Sequence, residues 1–124
     1  MKNHSFSKRE RLCSRNDFQK LLSEGNSFYL YPFRCVYLWK EEAPFSARIA
    51  VSVSKKKMKR AVDRNKIKRL IRENYRIEKK FLYQKHANTQ KKIDILVIYI
   101  ETKMLPFHFL KKKIIGVMDK IGYN

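Results

Sequence analysis

Acidic side chains are scarce in this sequence. Eleven Asp and Glu stand against thirty Lys and Arg in 124 residues, a formal net charge of +19. A body that positive repels itself when compact, and a polyanionic partner that releases counterions on binding is the usual compensation. Nucleic acid is the leading partner class, with an anionic membrane surface as the other reading. The few acids are scattered, no His sits beside a candidate nucleophile, and three glycines form no phosphate-cradling loop, so a protein-borne reaction centre is not expected. Cysteine is also rare. Cys13 and Cys35 lie far apart, and His4, His86 and His108 add no closely spaced pair, which excludes the usual zinc arrangements. The thiols read as reduced, packed or idle, consistent with a cytoplasmic chain. No apolar run approaches the roughly 18 residues of a spanning helix, and the opening MKNHSFSKRERL lacks the apolar stretch of a secretory signal. Gly, Pro and Ser form no linker and nothing repeats, so residues 1–124 read as one domain, with 1–12 as a basic arm.

What the chain has is an ordinary globular share of hydrophobic residues, 44%, and one dense basic stretch. Lys55 to Lys80 holds thirteen Lys or Arg and three acids, thus +10 of the +19. At roughly 100° per residue, Ile67, Leu70, Ile71, Ile77 and Phe81 gather on one side of a helix. Asn65, Lys68, Arg69, Arg72, Arg76 and Lys79 fall on the other. Stacked like charges weaken an isolated helix, so this pattern suits a helix that packs on one face and meets a polyanion on the other.

The remaining pattern gives the order α-β-β-α-β-α, an α+β fold built as an α/β sandwich. Ser14 and Asp17 form a capping box for a first helix carrying Phe18, Leu21 and Leu22, stopped by Gly25. Phe33 to Trp39 alternates, with Phe33, Cys35, Tyr37 and Trp39 on one face and Arg34, Val36 and Leu38 on the other. After a turn over 41–46, Ala47 to Ser54 alternates again, placing Arg48, Ser52 and Ser54 opposite Ile49, Val51 and Val53. A polar loop over 86–92 leads to Ile93–Ile100, nearly all apolar, as a central strand covered on both faces is. Asp94, the lone acid in that run, reads as an edge-facing or capped carboxylate. Pro106 then opens a last helix packing through Phe107, Leu110, Ile114, Val117, Met118 and Ile121.

The segment SVSKKKMKRAVDRNKIKRLIRENYR, Ser52 to Arg76, resembles the signature of the bacterial ribonuclease P protein subunit. The matching positions are Ser54, Lys55, Lys56, Ala61, Arg64, Asn65, Lys66, Lys68, Arg69, Arg72 and Glu73, and the flanking elements agree in order over nearly the whole chain. Lys66 departs from the family's Arg, keeping charge but losing the planar fork. Leu22 and Val36 stand where rings are common. The resemblance implies a four-stranded sheet of the ribosomal S5 domain 2 type with a left-handed β-α-β crossover carrying the basic helix. The fourth strand would be Ser27–Tyr31, or a break at Pro32.

It further implies an RNA-binding accessory subunit with no catalytic residue and no metal or cofactor of its own. The catalytic RNA subunit, holding divalent metal (Mg), removes the 5′ leader of precursor tRNA. Candidate contacts to that RNA are Lys55, Lys56, Arg60, Arg64, Asn65, Lys66, Lys68, Arg69, Arg72 and Arg76. A leader-binding cleft between first helix and sheet would use Phe18, Leu22, Phe33, Arg34, Val36, Tyr37, Arg48, Ser52 and Ser54, with Phe33 and Tyr37 substituting for the missing rings. A ribosomal or rRNA-assembly protein, and a DNA-binding factor with Lys68–Lys79 in a groove, are the alternatives.

Overall fold

The computed structural model describes residues 15–41, 46–85 and 91–122. The expected arm, the Ser14 cap, Cys13 and the side chain of Phe81 lie outside the described residues. Seven elements follow one another: α1 (Arg15–Glu24), β1 (Asn26–Leu30), β2 (Phe33–Glu41), β3 (Ser46–Val53), α2 (Ala61–Lys85), β4 (Lys91–Tyr99) and α3 (Phe107–Gly122). The fourth strand is β1, set off from β2 by a turn at Tyr31–Pro32, whose peptide bond is cis. The sheet order is β1-β2-β4-β3. The β1–β2 and β2–β4 pairs are antiparallel, and β3 runs parallel to β4. A parallel neighbour requires a long crossover, and α2 supplies it.

Strand alternation divides the core in two. One face carries Phe33, Cys35, Tyr37, Ile49, Val53, Ile93, Ile95, Val97 and Tyr99, packed with α2 and α3. The other carries Val36 and Leu96, covered by Leu21 of α1, with Phe18, Leu38, Ala50 and Ile98 partly buried around them. Strand β4 is therefore buried on both sides, which is why its sequence is so apolar. Burial also pushes the Cys35 thiol up to about 12, against a small opposing pull from Lys120, so it is an inert core group.

Three expected packing assignments change. Ile77 is 37% exposed and Phe107 47% exposed, whereas Lys79, expected on the polar face, is only 8% exposed. Phe107 is the first residue of α3, and for Ile77 and Lys79 the cause is that α2 lies against both α3 and β3. Its buried sector centres on Ile67, Ile71, Asn74 and Tyr75, so the helix is rotated from the position that its aliphatic residues alone indicate.

The junction of α1 and β1 depends on Gly25. Its N–H donates to the Leu21 carbonyl at 2.9 Å. A Cβ there would lie 2.4 Å from that oxygen, 2.9 Å from Val36 Cγ1 and 3.0 Å from the Tyr37 carbonyl oxygen. Two of these neighbours are backbone and cannot swing aside. Gly25→Ala is expected to destabilise the fold by about 1–3 kcal/mol, measurable by denaturant titration; a neutral result would mean that α1 shifts freely on the sheet.

Candidate nucleic-acid interface

The basic helix is entered through a tightly tied connection. Ser54, at the end of β3, accepts through Oγ from the N–H groups of Lys56 and Lys57 at 3.2 and 3.4 Å. Its carbonyl accepts from the Met58 N–H at 2.9 Å. Met58 is buried and pins the connection to the main core, which leaves Lys55 and Lys56 exposed on the turn. Lys57 Nζ donates to the Ile100 carbonyl at 3.0 Å.

Along α2 the sequence-predicted contacts separate by position. Asn65, Lys66 and Arg69 are exposed, while Lys68, Arg72 and Arg76 flank them half-buried. From Asn65 to Arg76 the strip is about 16 Å long. Arg76 pairs with Glu73 one turn away, an exposed pair that holds the Glu73 carboxyl below its ordinary range. Arg60 is exposed and lies 3.9 Å from Asp63, a loose pair. Arg64 has a structural partner: its Nη1 donates to the carbonyls of Met58 and Lys59 at 2.9 and 2.7 Å. It therefore stitches the connection onto the first turn of α2, a role that spacing alone does not reveal.

The second surface lies where α1 crosses the sheet. Register aligns Arg34 with Ile98 and Ser52 with Ile98, so these side chains share the α1 face at one level of the sheet. Arg34 and Ser52 are exposed, Phe18 and Ser54 are half-buried, and Leu22 on the rim of α1 is 55% exposed. Three expected cleft residues do not line it. Phe33 is fully buried and Tyr37 8% exposed in the core on the opposite face, against Tyr99 and Phe28. Strand parity places them with Cys35 rather than with Arg34. Val36 has the right parity but is closed over by Leu21.

Arg48 also has the right parity, but its guanidinium is engaged beneath α1. Its Nε and Nη2 donate to the two Asp94 oxygens, both at 2.9 Å, and Nη1 lies 3.0 Å from Asp17 Oδ2. Lys40 Nζ completes a four-membered network, 2.8 Å from Asp94 and 3.3 Å from Asp17. Desolvation opposes the charges of Asp17, Lys40 and Arg48. Even so, the hydrogen bonds and charges of Arg48 and Lys40 hold the Asp17 carboxyl below its usual range. The same pairs, with Asp94 the stronger partner, hold Lys40 and Arg48 above theirs. The network fastens α1 to β2, β3 and β4 and so fixes the helix against that face of the sheet.

Among the described residues no cluster of three or more His, Cys, Asp or Glu could hold a metal ion, and no helix is long and apolar enough to cross a membrane. The cationic strip on a packed helix, joined through Ser54–Arg60 to the sheet, gives a folded domain whose surface suits a polyanionic partner. The family model for ribonuclease P matches residues 6–122. A ribonuclease P protein component from Porphyromonas gingivalis is 34% identical over 119 residues, covering 95% of this chain and 87% of that protein. One from Dictyoglomus turgidum is 39% identical over 120 residues, covering 94% and 92%. The solved Staphylococcus aureus RNase P protein superposes with a TM-score of 0.69 at 30% identity, over 90% of this chain and 94% of its own. The Thermotoga maritima RNase P protein gives 0.67 at 26%, over 90% and 97%. This chain belongs to the ribonuclease P protein family, and is thus a subunit of that endoribonuclease.

Proposed function

We propose that the chain binds the RNA subunit of ribonuclease P through α2 and its entry turn, and grips the 5′ leader of precursor tRNA between α1 and the sheet. The observation that carries this reading is the placement of Asn65, Lys66 and Arg69, exposed on a helix whose other side is anchored by Ile67, Ile71 and Tyr75. Lys66, Lys68 and Arg69 have no ion-pair partner among the described residues. A row of cations held on a rigid helix and left unneutralised suits a partner made of phosphates. Asn65 adds an amide able to donate to RNA and to accept from a 2′-OH. Hydrolysis is assigned to the RNA subunit, whose bound divalent metal would supply two-metal in-line chemistry, and the protein supplies affinity and substrate choice. The setting is cytoplasmic. The ribosomal alternative draws no support from the family match or the structural relatives.

Reconstitution tests the reading. Purified, RNA-free protein is expected to leave precursor tRNA intact, yet to restore cleavage when added to the RNA subunit at magnesium concentrations where that RNA alone is slow. Processing by the protein alone, or no effect of the protein on the RNA, would defeat the proposal.

A further inference from the structure

Tyr29 belongs neither to the cationic strip of α2 nor to the expected cleft residues. It sits on edge strand β1, directly opposite Arg34 on β2. Since Arg34, Ile98 and Ser52 align across the sheet, Tyr29 extends that row to the sheet edge. The row crosses four strands, three spacings or about 14 Å. Its neighbours Phe28 and Leu30 have the opposite parity and pack into the main core, which fixes the face that Tyr29 presents. The ring is 65% exposed, yet it is not unsupported: the Arg34 guanidinium stands over it, 5.7 Å from the ring centroid.

A tyrosine in a strand needs no special account, since aromatics suit pleated surfaces, and one exposed ring is ordinary. Three further observations separate Tyr29 from that case. The ring is pre-positioned by a cation that is itself exposed. Its face of the sheet is the one that α1 covers, where Leu22 is another exposed apolar side chain. It also restores an aromatic platform to a face whose interior has lost one, since Val36 is aliphatic and sealed, and Phe33 and Tyr37 turn away.

We infer that Tyr29, braced by Arg34, is a stacking platform for one unpaired nucleotide of single-stranded RNA at the outer end of the cleft. This rests on the leader-cleft reading above. The ring face offers sequence-tolerant stacking and Arg34 a phosphate contact or a second stacking plane, the combination that suits single strands. The chain's +19 charge and the open Ser52–Lys56 segment at the other end of the row favour an RNA strand over an apolar peptide.

The test uses the holoenzyme reconstituted with its RNA subunit. Its substrates are precursor tRNA with a leader of several nucleotides, 2-aminopurine placed at successive leader positions, and mature tRNA. Tyr29→Ala should lower affinity for the leader-bearing precursor about fivefold or more, the low end for one lost stack. Mature tRNA should bind unchanged, and 2-aminopurine at one leader position should lose its quenching. Tyr29→Phe should behave as wild type. If wild type favours the leader-bearing RNA and Tyr29→Ala preserves that preference, the inference falls while the leader cleft stands. If wild type shows no such preference, both fall. Equal losses on both RNAs together with a lower Tm would return Tyr29 to a purely structural role.

Discussion

Asp94→Ala is expected to cost about 3–5 kcal/mol of folding stability, the usual penalty for stripping one partner from a buried ion pair. The carboxylate is fully buried in the central strand, with Arg48 bidentate on one side and Lys40 at 2.8 Å on the other. Removing it leaves two cations, both mostly shielded, facing the single carboxylate of Asp17. In a domain of this size that loss lowers Tm by roughly ten degrees or more. Asp94→Asn keeps the volume and isolates the charge, so it should approach the alanine value. Asp17→Asn should cost much less, near 1 kcal/mol, because Asp17 retains 31% side-chain exposure and solvent screens its pairs. A double-mutant cycle over Asp94 and Arg48 measures the coupling directly. A loss below about 1 kcal/mol for Asp94→Ala would mean that water enters beneath α1 and that the helix is held by Leu21 alone.

The same network sets the pH range over which α1 stays fastened. Asp17 is held below its ordinary value in the folded state. Its contribution is therefore complete above the usual carboxylate range, near pH 4, and is lost as pH falls through the folded value. Lys40 is raised, so its contribution is complete below about pH 10.4 and disappears only as pH rises through the raised value. Neutral pH lies well inside that window, and physiological shifts should not loosen α1 from the sheet.

Local pattern made the sheet and the basic helix legible, because β2, β3 and β4 each carry an unbroken alternation or apolar run. Ser54 to Arg76 carries a spacing specific enough to point to the family. What stayed hidden depends on contacts distant in sequence. Asp94 stands out as the lone acid of its strand, but its partners come from two other strands, Arg48 being 46 residues away. Alternation separates Phe33 and Tyr37 from Arg34, yet only the position of α1 decides which face is the cleft. The rotation of α2 is hidden in the sequence because Asn74 and Tyr75, which carry polar groups, are 1% and 0% exposed, whereas the aliphatic Ile77 is 37% exposed. Arg64 looks like its basic neighbours in sequence, and only the folded connection turns it toward two backbone carbonyls.

Charge on α2 can be separated from charge in general by a paired substitution. Lys66→Ala with Arg69→Ala removes two exposed cations that have no partner among the described residues. They lie three positions apart on one helix face, where like charges repel, and alanine is the better helix former. Folding stability should therefore hold or rise slightly. Binding to the RNA subunit should weaken, and the slope of log K against log salt should flatten by about two units, one per lost phosphate contact. The deficit is then largest at low salt and shrinks about tenfold between roughly 50 and 200 mM. Lys111→Ala with Lys112→Ala makes the same change in net charge on the exposed side of α3 and should leave the slope close to wild type. A protein that uses its +19 only as a diffuse field would respond equally to both pairs. Equal slopes for the two double variants would remove α2 as the RNA-docking face, whereas a selective loss on α2 fixes where the catalytic RNA lies.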